Sequence, residues 1–85
     1  MPAVRVTLLY FGGLRDAIGL SQEAMDLPGD VFTVGELSTV LAARHRAYAE
    51  QRACVRFARN EAFVSHDERL ENGDVVALIP PVAGG

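Results

Sequence analysis

The sequence predicts an α+β fold in which a mixed sheet packs against one main helix and a flexible tail follows the last strand. Three observations lead there. Two runs, VRVTLLYF from Val4 to Phe11 and VVALI from Val75 to Ile79, are apolar on both faces, as strands in the middle of a sheet are. Between them, Thr33-Val34-Gly35-Glu36 has the residues of a capping box and opens a stretch of helical apolar spacing. The intervening segments are short and bounded by turn residues.

Each element follows in order. Val4, Val6, Leu8 and Tyr10 share one face of the first strand, Leu9 and Phe11 the other. Gly12-Gly13 breaks the strand, and LRDAIG reads as a short helix closed by Gly19. A second strand, Gln22 to Leu27, ends at Pro28-Gly29-Asp30. The main helix begins near Val34 and runs to about residue 46 or slightly beyond, with Val34, Leu37 and Leu41 on its inner stripe, Val40 at the margin, and Glu36, Thr39 and Arg46 pointing away. Val55 to Arg59 and Ala62 to Ser65 form two short strands around a turn at Asn60-Glu61, where Asn tolerates positive φ. After the turn Asn72-Gly73-Asp74 comes the last strand. The first and last strands belong side by side at the centre, parallel because the helix supplies the crossover. This is the β-grasp, or ubiquitin-like, arrangement, and residues 1–85 are expected to form one such domain.

Composition narrows the function classes. With 85 residues, 49% hydrophobic and 22% charged, the chain is globular and has little room for a catalytic cleft. Its longest apolar run is far short of a membrane helix and MPAVRV lacks a signal-peptide pattern, so a soluble cytoplasmic protein without membrane contact is expected. A net charge of −3 speaks against nucleic-acid binding. All eight basic residues are arginine, so the chain has no ε-amine to accept an acyl group. The single cysteine, Cys54, cannot form an internal disulfide and is expected to be a small buried apolar residue.

Most chemical constellations fail on geometry. Ser65-His66-Asp67 has the letters of a hydrolytic triad, but adjacent residues on an extended segment point in different directions. His45 and His66 have no companion at metal spacing, and Gly12-Gly13 fits neither phosphate-loop pattern. The basic run Arg44, Arg46, Arg52, Arg56, Arg59 and the acidic run Asp67, Glu68, Glu71, Asp74 read as solvated faces, with a docking surface as the alternative, and neither specifies a partner.

The C-terminal residues carry the sharper signal. Pro80-Pro81 removes two donors and fixes φ, so the chain must leave the sheet after Ile79. Held extended at ~3 Å per residue, the segment from Pro81 to Gly85 reaches roughly 15 Å. Its side chains shrink through Val82 and Ala83 to Gly84 and Gly85, the narrowest profile a polypeptide can have. The group so presented is the Gly85 carboxylate. Adenylation would turn it into an electrophile; attack by sulfur would give a thiocarboxylate, and attack by an amine a conjugate.

Phe11-Gly12-Gly13-Leu14-Arg15-Asp16, the helix start at Thr33 to Glu36, Asn72-Gly73-Asp74-Val75 and above all Ile79-Pro80-Pro81-Val82-Ala83-Gly84-Gly85 resemble the MoaD family, the small sulfur-carrying subunit of molybdopterin synthase. Ala83 stands where Thr is frequent. The resemblance implies that Gly85 is adenylated and then thiocarboxylated by a MoeB-like activating enzyme that uses ATP, the carrier itself binding no cofactor and no metal. It further implies insertion of residues Pro80, Pro81, Val82, Ala83, Gly84 and Gly85 into a large subunit that supplies the catalytic residues. There the sulfur passes to cyclic pyranopterin monophosphate, within a heterotetramer of two small and two large subunits. By family position, Phe11, Arg15 and Ile79 dock on partners near the tail. Other open readings are a sulfur carrier for a thiazole, cysteine or tungsten-cofactor pathway, and a non-catalytic interaction module.

Overall fold

The computed structural model describes residues 4–27 and 32–81. The elements are β1 (Val4–Tyr10), α1 (Gly12–Ile18), β2 (Gln22–Leu27), α2 (Val34–Arg44), α3 (Arg46–Gln51), a 3-10 turn (Arg52–Cys54), β3 (Arg56–Arg59), β4 (Ala62–Val64) and β5 (Val75–Ile79). The expected turn at Pro28-Gly29-Asp30 lies outside the described residues.

The five strands form one mixed sheet in the order β2-β1-β5-β3-β4. β1 and β5 are parallel, Thr7 opposite Val75 and Tyr10 opposite Leu78, as the crossover argument requires. The β1–β2, β3–β5 and β3–β4 pairs are antiparallel. Val6, Leu8, Tyr10, Val76, Leu78, Met25, Leu27 and Phe57 turn to one face and meet Leu14, Val34, Leu37, Leu41 and Tyr48 from the helices.

α2 starts with both halves of the capping box in place. Glu36 N–H donates to Thr33 Oγ1 at 3.2 Å, and Thr33 N–H donates to Glu36 Oε1 at 2.9 Å. The next two amides are taken by loop carbonyls, Val34 N–H by Glu68 O and Gly35 N–H by His66 O, both at 2.9 Å. The turn after β3 uses positive φ at Asn60 (49°) and also at Glu61 (75°), the left-handed pair that a two-residue hairpin needs.

Three features depart from the sequence reading. The main helix does not run through residue 45. His45 adopts φ −126° and ψ 110°, and a separate helix follows. The break lets His45 Nε2 donate to Glu23 Oε1 on β2 at 2.8 Å and turns Tyr48 fully into the core, 2.6 Å from Ser38 Oγ. Cys54 is exposed, not buried, because the 3-10 turn points it outward while its neighbour Val55 takes the inward position. Finally, β1 and β5 are central as expected, yet their second apolar face is not covered. Among the described residues all helices lie on the core side, and Leu9, Val75 and Ala77 look onto an open groove.

Among the described residues only Arg59 of the basic run meets the acidic run, and Arg44, Arg46 and Arg52 find partners elsewhere. Arg59 donates to Asp74 Oδ2 and Glu68 Oε2, each at 2.7 Å, and lies 3.9 Å from Glu71 Oε2, which ties β3 to the loop before β5. Arg52 donates to Ser38 Oγ and Thr39 Oγ1 at 2.9 Å, and Arg46 pairs with Glu50.

Candidate functional site: the tail root and the open face of the sheet

The parallel pair β1–β5 ends in step, so the chain leaves β5 at Ile79 beside the point where it leaves β1 at Phe11. Phe11 is the extended N-cap of α1, with φ −128° and ψ 159°, and 44% of it remains exposed. Read as a strand-end residue it could have been core; it is surface. Arg15 lies one turn into α1, its N–H donating to Phe11 O, its side chain exposed and Nε 3.8 Å from Asp16 Oδ1. Ile79 is half-buried and paired with Arg56 of β3.

The root of the tail is held by glycine. Gly12 has φ +55°, and a Cβ placed there would sit 3.3 Å from Pro80 Cγ. The start of α1 thus closes directly on Pro80, which is half-buried, whereas Pro81 is exposed. Ile79, Pro80 and Phe11 are brought together at one end of the sheet. Val82, Ala83, Gly84 and Gly85 lie outside the described residues.

Next to this root is a groove of about 480 Å³ lined by Leu9, Phe11, Ala58, Val75, Ala77, Asn60 and Glu61. Phe63 on β4, opposite Ala58, carries the apolar surface further and is 57% exposed. Of these, sequence reasoning named only Phe11 as a surface residue. The signal was present. A chain this short has one long helix, which can cover one face of a five-stranded sheet; the second apolar face of β1 and β5 therefore had to be open.

On the opposite side, a polar cluster locks the sheet to the helix break. Glu23 Oε1 accepts from Tyr10 Oη at 2.6 Å and from His45 Nε2, while Arg44 Nε is 3.8 Å from Oε2. Burial pushes the Glu23 carboxyl up, but the Tyr10 and His45 hydrogen bonds and the Arg44 charge outweigh it and hold it below the usual range. The Tyr10 hydroxyl is raised, first by burial and then by donating to that carboxylate. Asp74 is likewise held low. Burial opposes its ionisation, and the Glu71 N–H, Asn60 and Arg59 overcome it. Both clusters are internally satisfied and serve the fold. Among the described residues no group of three or more His, Cys, Asp or Glu is placed to hold a metal, and no helix is long and apolar enough to cross a membrane.

The arrangement is a rigid platform with a proline-stiffened exit beside an open apolar face. A family model described as the ThiS family matches residues 8–85. The chain belongs to the ThiS family. Relatives of this ThiS-family chain include the molybdopterin synthase sulfur carrier subunit of Chlamydomonas reinhardtii, 32% identical over 96% of this chain and 100% of that one. The protein of the same description from Escherichia coli is 34% identical over 94% of this chain and 99% of its own length. The crystal structure of SAMP1 from Haloferax volcanii superposes with a TM-score of 0.80 at 29% identity, covering 95% of this chain and 99% of that one. The likeness to the molybdopterin synthase carrier and the β-grasp fold drawn from the sequence are both borne out.

Proposed function

We propose that this chain is the sulfur-carrier subunit of a molybdopterin synthase. The observation that carries the reading is the tail root. The central strand β5 delivers the backbone to Pro80-Pro81 at an edge packed by Gly12, and the sequence then runs through two small residues to Gly84-Gly85. Whole-length relatives carrying that description support it.

The chemistry is that of the terminal carboxylate. One Gly85 oxygen attacks the α-phosphorus of ATP on a MoeB-like activating enzyme, pyrophosphate leaves, and an acyl adenylate forms. A sulfur nucleophile displaces AMP and leaves a thiocarboxylate on Gly85. Residues 80–85 then enter the large subunit, which supplies the catalytic side chains, and the sulfur passes to cyclic pyranopterin monophosphate; two deliveries complete the dithiolene. The carrier's own contribution is geometric. Two glycines remove the side chains that would block a narrow channel, and Pro80-Pro81 limits the conformations the tail loses on entry. Phe11, Arg15 and Ile79 dock beside the tail. The carrier binds no cofactor of its own and works in the cytoplasm without nucleic acid or membrane.

The reading is tested by incubating the protein with the large subunit, the activating enzyme, ATP and a sulfur source, and following conversion of the pyranopterin precursor. Conversion by the intact chain and none by a variant lacking Gly85 is the expected result. A thiocarboxylate that forms but delivers no sulfur to the pterin would instead assign the carrier to another pathway.

A further inference from the structure

Arg56 stands apart from the arginines engaged elsewhere. Arg44, Arg46, Arg52 and Arg59 each meet a carboxylate or hydroxyl of the chain. Among the described residues Arg56 meets none; its guanidinium carbon instead lies 4.2 Å from the centroid of the Phe63 ring. Stacking occupies the flat face of a guanidinium and leaves its edge donors directed outward, the arrangement that receives a carboxylate through two parallel hydrogen bonds. Phe63 is the most exposed of the large apolar side chains described, and an aromatic-arginine pair at an open surface has the composition of an interface anchor.

Its position supplies the occupant. Arg56 is opposite Ile79, the last residue before the tail, and Phe63 is opposite Ala58, which lines the groove with Leu9, Val75 and Ala77. The stacked pair, the groove and the tail root are continuous on one face. A protein that takes up residues 80–85 engages the chain at this root, and the surface adjoining the root is an apolar floor with the unpaired Arg56 at its margin.

We infer that Arg56, held by Phe63, is a specificity-determining contact that reads a carboxylate on the apolar surface of the tail-accepting large subunit. The inference rests on the proposed function and adds the chemistry of the partner's side. The partner presents an Asp or Glu set among apolar residues, positioned for a bidentate pair when the tail is inserted. Lysine at position 56 would keep the charge but lose both the fork and the stacking plane.

The test is a binding titration of the full chain and its Arg56→Gln, Arg56→Lys, Arg56→Glu and Phe63→Ala variants against the purified large subunit, at low and high salt. Both positions are exposed, and circular dichroism verifies that all four variants fold. Expected are losses of about tenfold for Arg56→Gln, more for Arg56→Glu, and a few-fold for Arg56→Lys and Phe63→Ala. The salt dependence should be reduced in Arg56→Gln. Equal affinities for wild type and Arg56→Glu would overturn the inference while leaving the proposed function standing, provided that deletion of Gly85 still abolishes sulfur delivery. Failure of the wild type itself to bind would overturn both, and a wild-type chain that self-associates through Arg56, read by sedimentation, would replace the large subunit by a second copy and overturn the inference.

Discussion

Adjacent glycines at the tail root are expected to respond to alanine with opposite signs. Gly12 has φ +55°, where an L-residue is disfavoured by about 1–2 kcal/mol, and its added Cβ would press on Pro80 Cγ at 3.3 Å. Gly13, one residue on, has no such φ, and a Cβ there meets nothing within 4 Å. Inside α1, Gly13→Ala should therefore stabilise by about 0.4–1 kcal/mol, by lowering the freedom of the unfolded chain. In a domain of this size 1 kcal/mol moves Tm by roughly 4–8 °C, so Gly12→Ala should lower Tm by about 4–16 °C and Gly13→Ala raise it by about 2–8 °C. Thermal unfolding followed by circular dichroism measures both. Because the strain at position 12 bears on Pro80, Gly12→Ala should also slow sulfur delivery at temperatures where it is fully folded, and Gly13→Ala should not. Equal shifts of the same sign in the two variants would refute the tail-root geometry.

Other outcomes follow from the buried polar groups. Tyr48→Phe removes a 2.6 Å hydrogen bond to the fully buried Ser38 and should cost about 1 kcal/mol; Ser38→Ala, which strands both the Tyr48 hydroxyl and Arg52 Nε, should cost more, and chemical denaturation distinguishes the two. Asp74 and Glu23 have folded pKa values below their ordinary 3.8 and 4.5, so their contribution is present above those values and lost as pH falls through the lower folded ones. Urea midpoints should drop on acidification below about pH 5, less steeply in Asp74→Asn than in wild type; identical slopes would remove Asp74 from the account. Cys54 is exposed and should react fully with a thiol reagent under native conditions, and Cys54→Ser should leave Tm unchanged; labelling only after unfolding would contradict its placement.

The sequence made the central parallel pair legible because β1 and β5 show apolar residues on both faces, which marks both as central strands, and the helix between them supplies the crossover. It made the start of α2 legible because the capping box is local, three residues from donor to acceptor. The break at His45 was not legible. It depends on Glu23, 22 positions away, and no periodicity within the helix announces a partner on another strand. Cys54 was misplaced for a related reason, since a 3-10 turn decides which of two neighbouring apolar residues faces inward. At the site, Pro80-Pro81 marked where the chain leaves the sheet; Val82 to Gly85 lie outside the described residues, and docking through Phe11, Arg15 and Ile79 is a proposal from resemblance. The open face was missed because apolar alternation on both sides was taken as burial on both sides. Nothing in single-strand periodicity separates a covered face from a docking face; the number of helices available to cover it does.

The most direct measurement is the intact mass of the carrier after incubation with its activating enzyme, ATP and a sulfur donor. Replacement of one oxygen by sulfur, localised to Gly85 by fragmentation and lost again when the large subunit and pyranopterin precursor are added, is the expected result. An unchanged mass, with Gly85 present and the activating enzyme competent on a known carrier, would contradict the account.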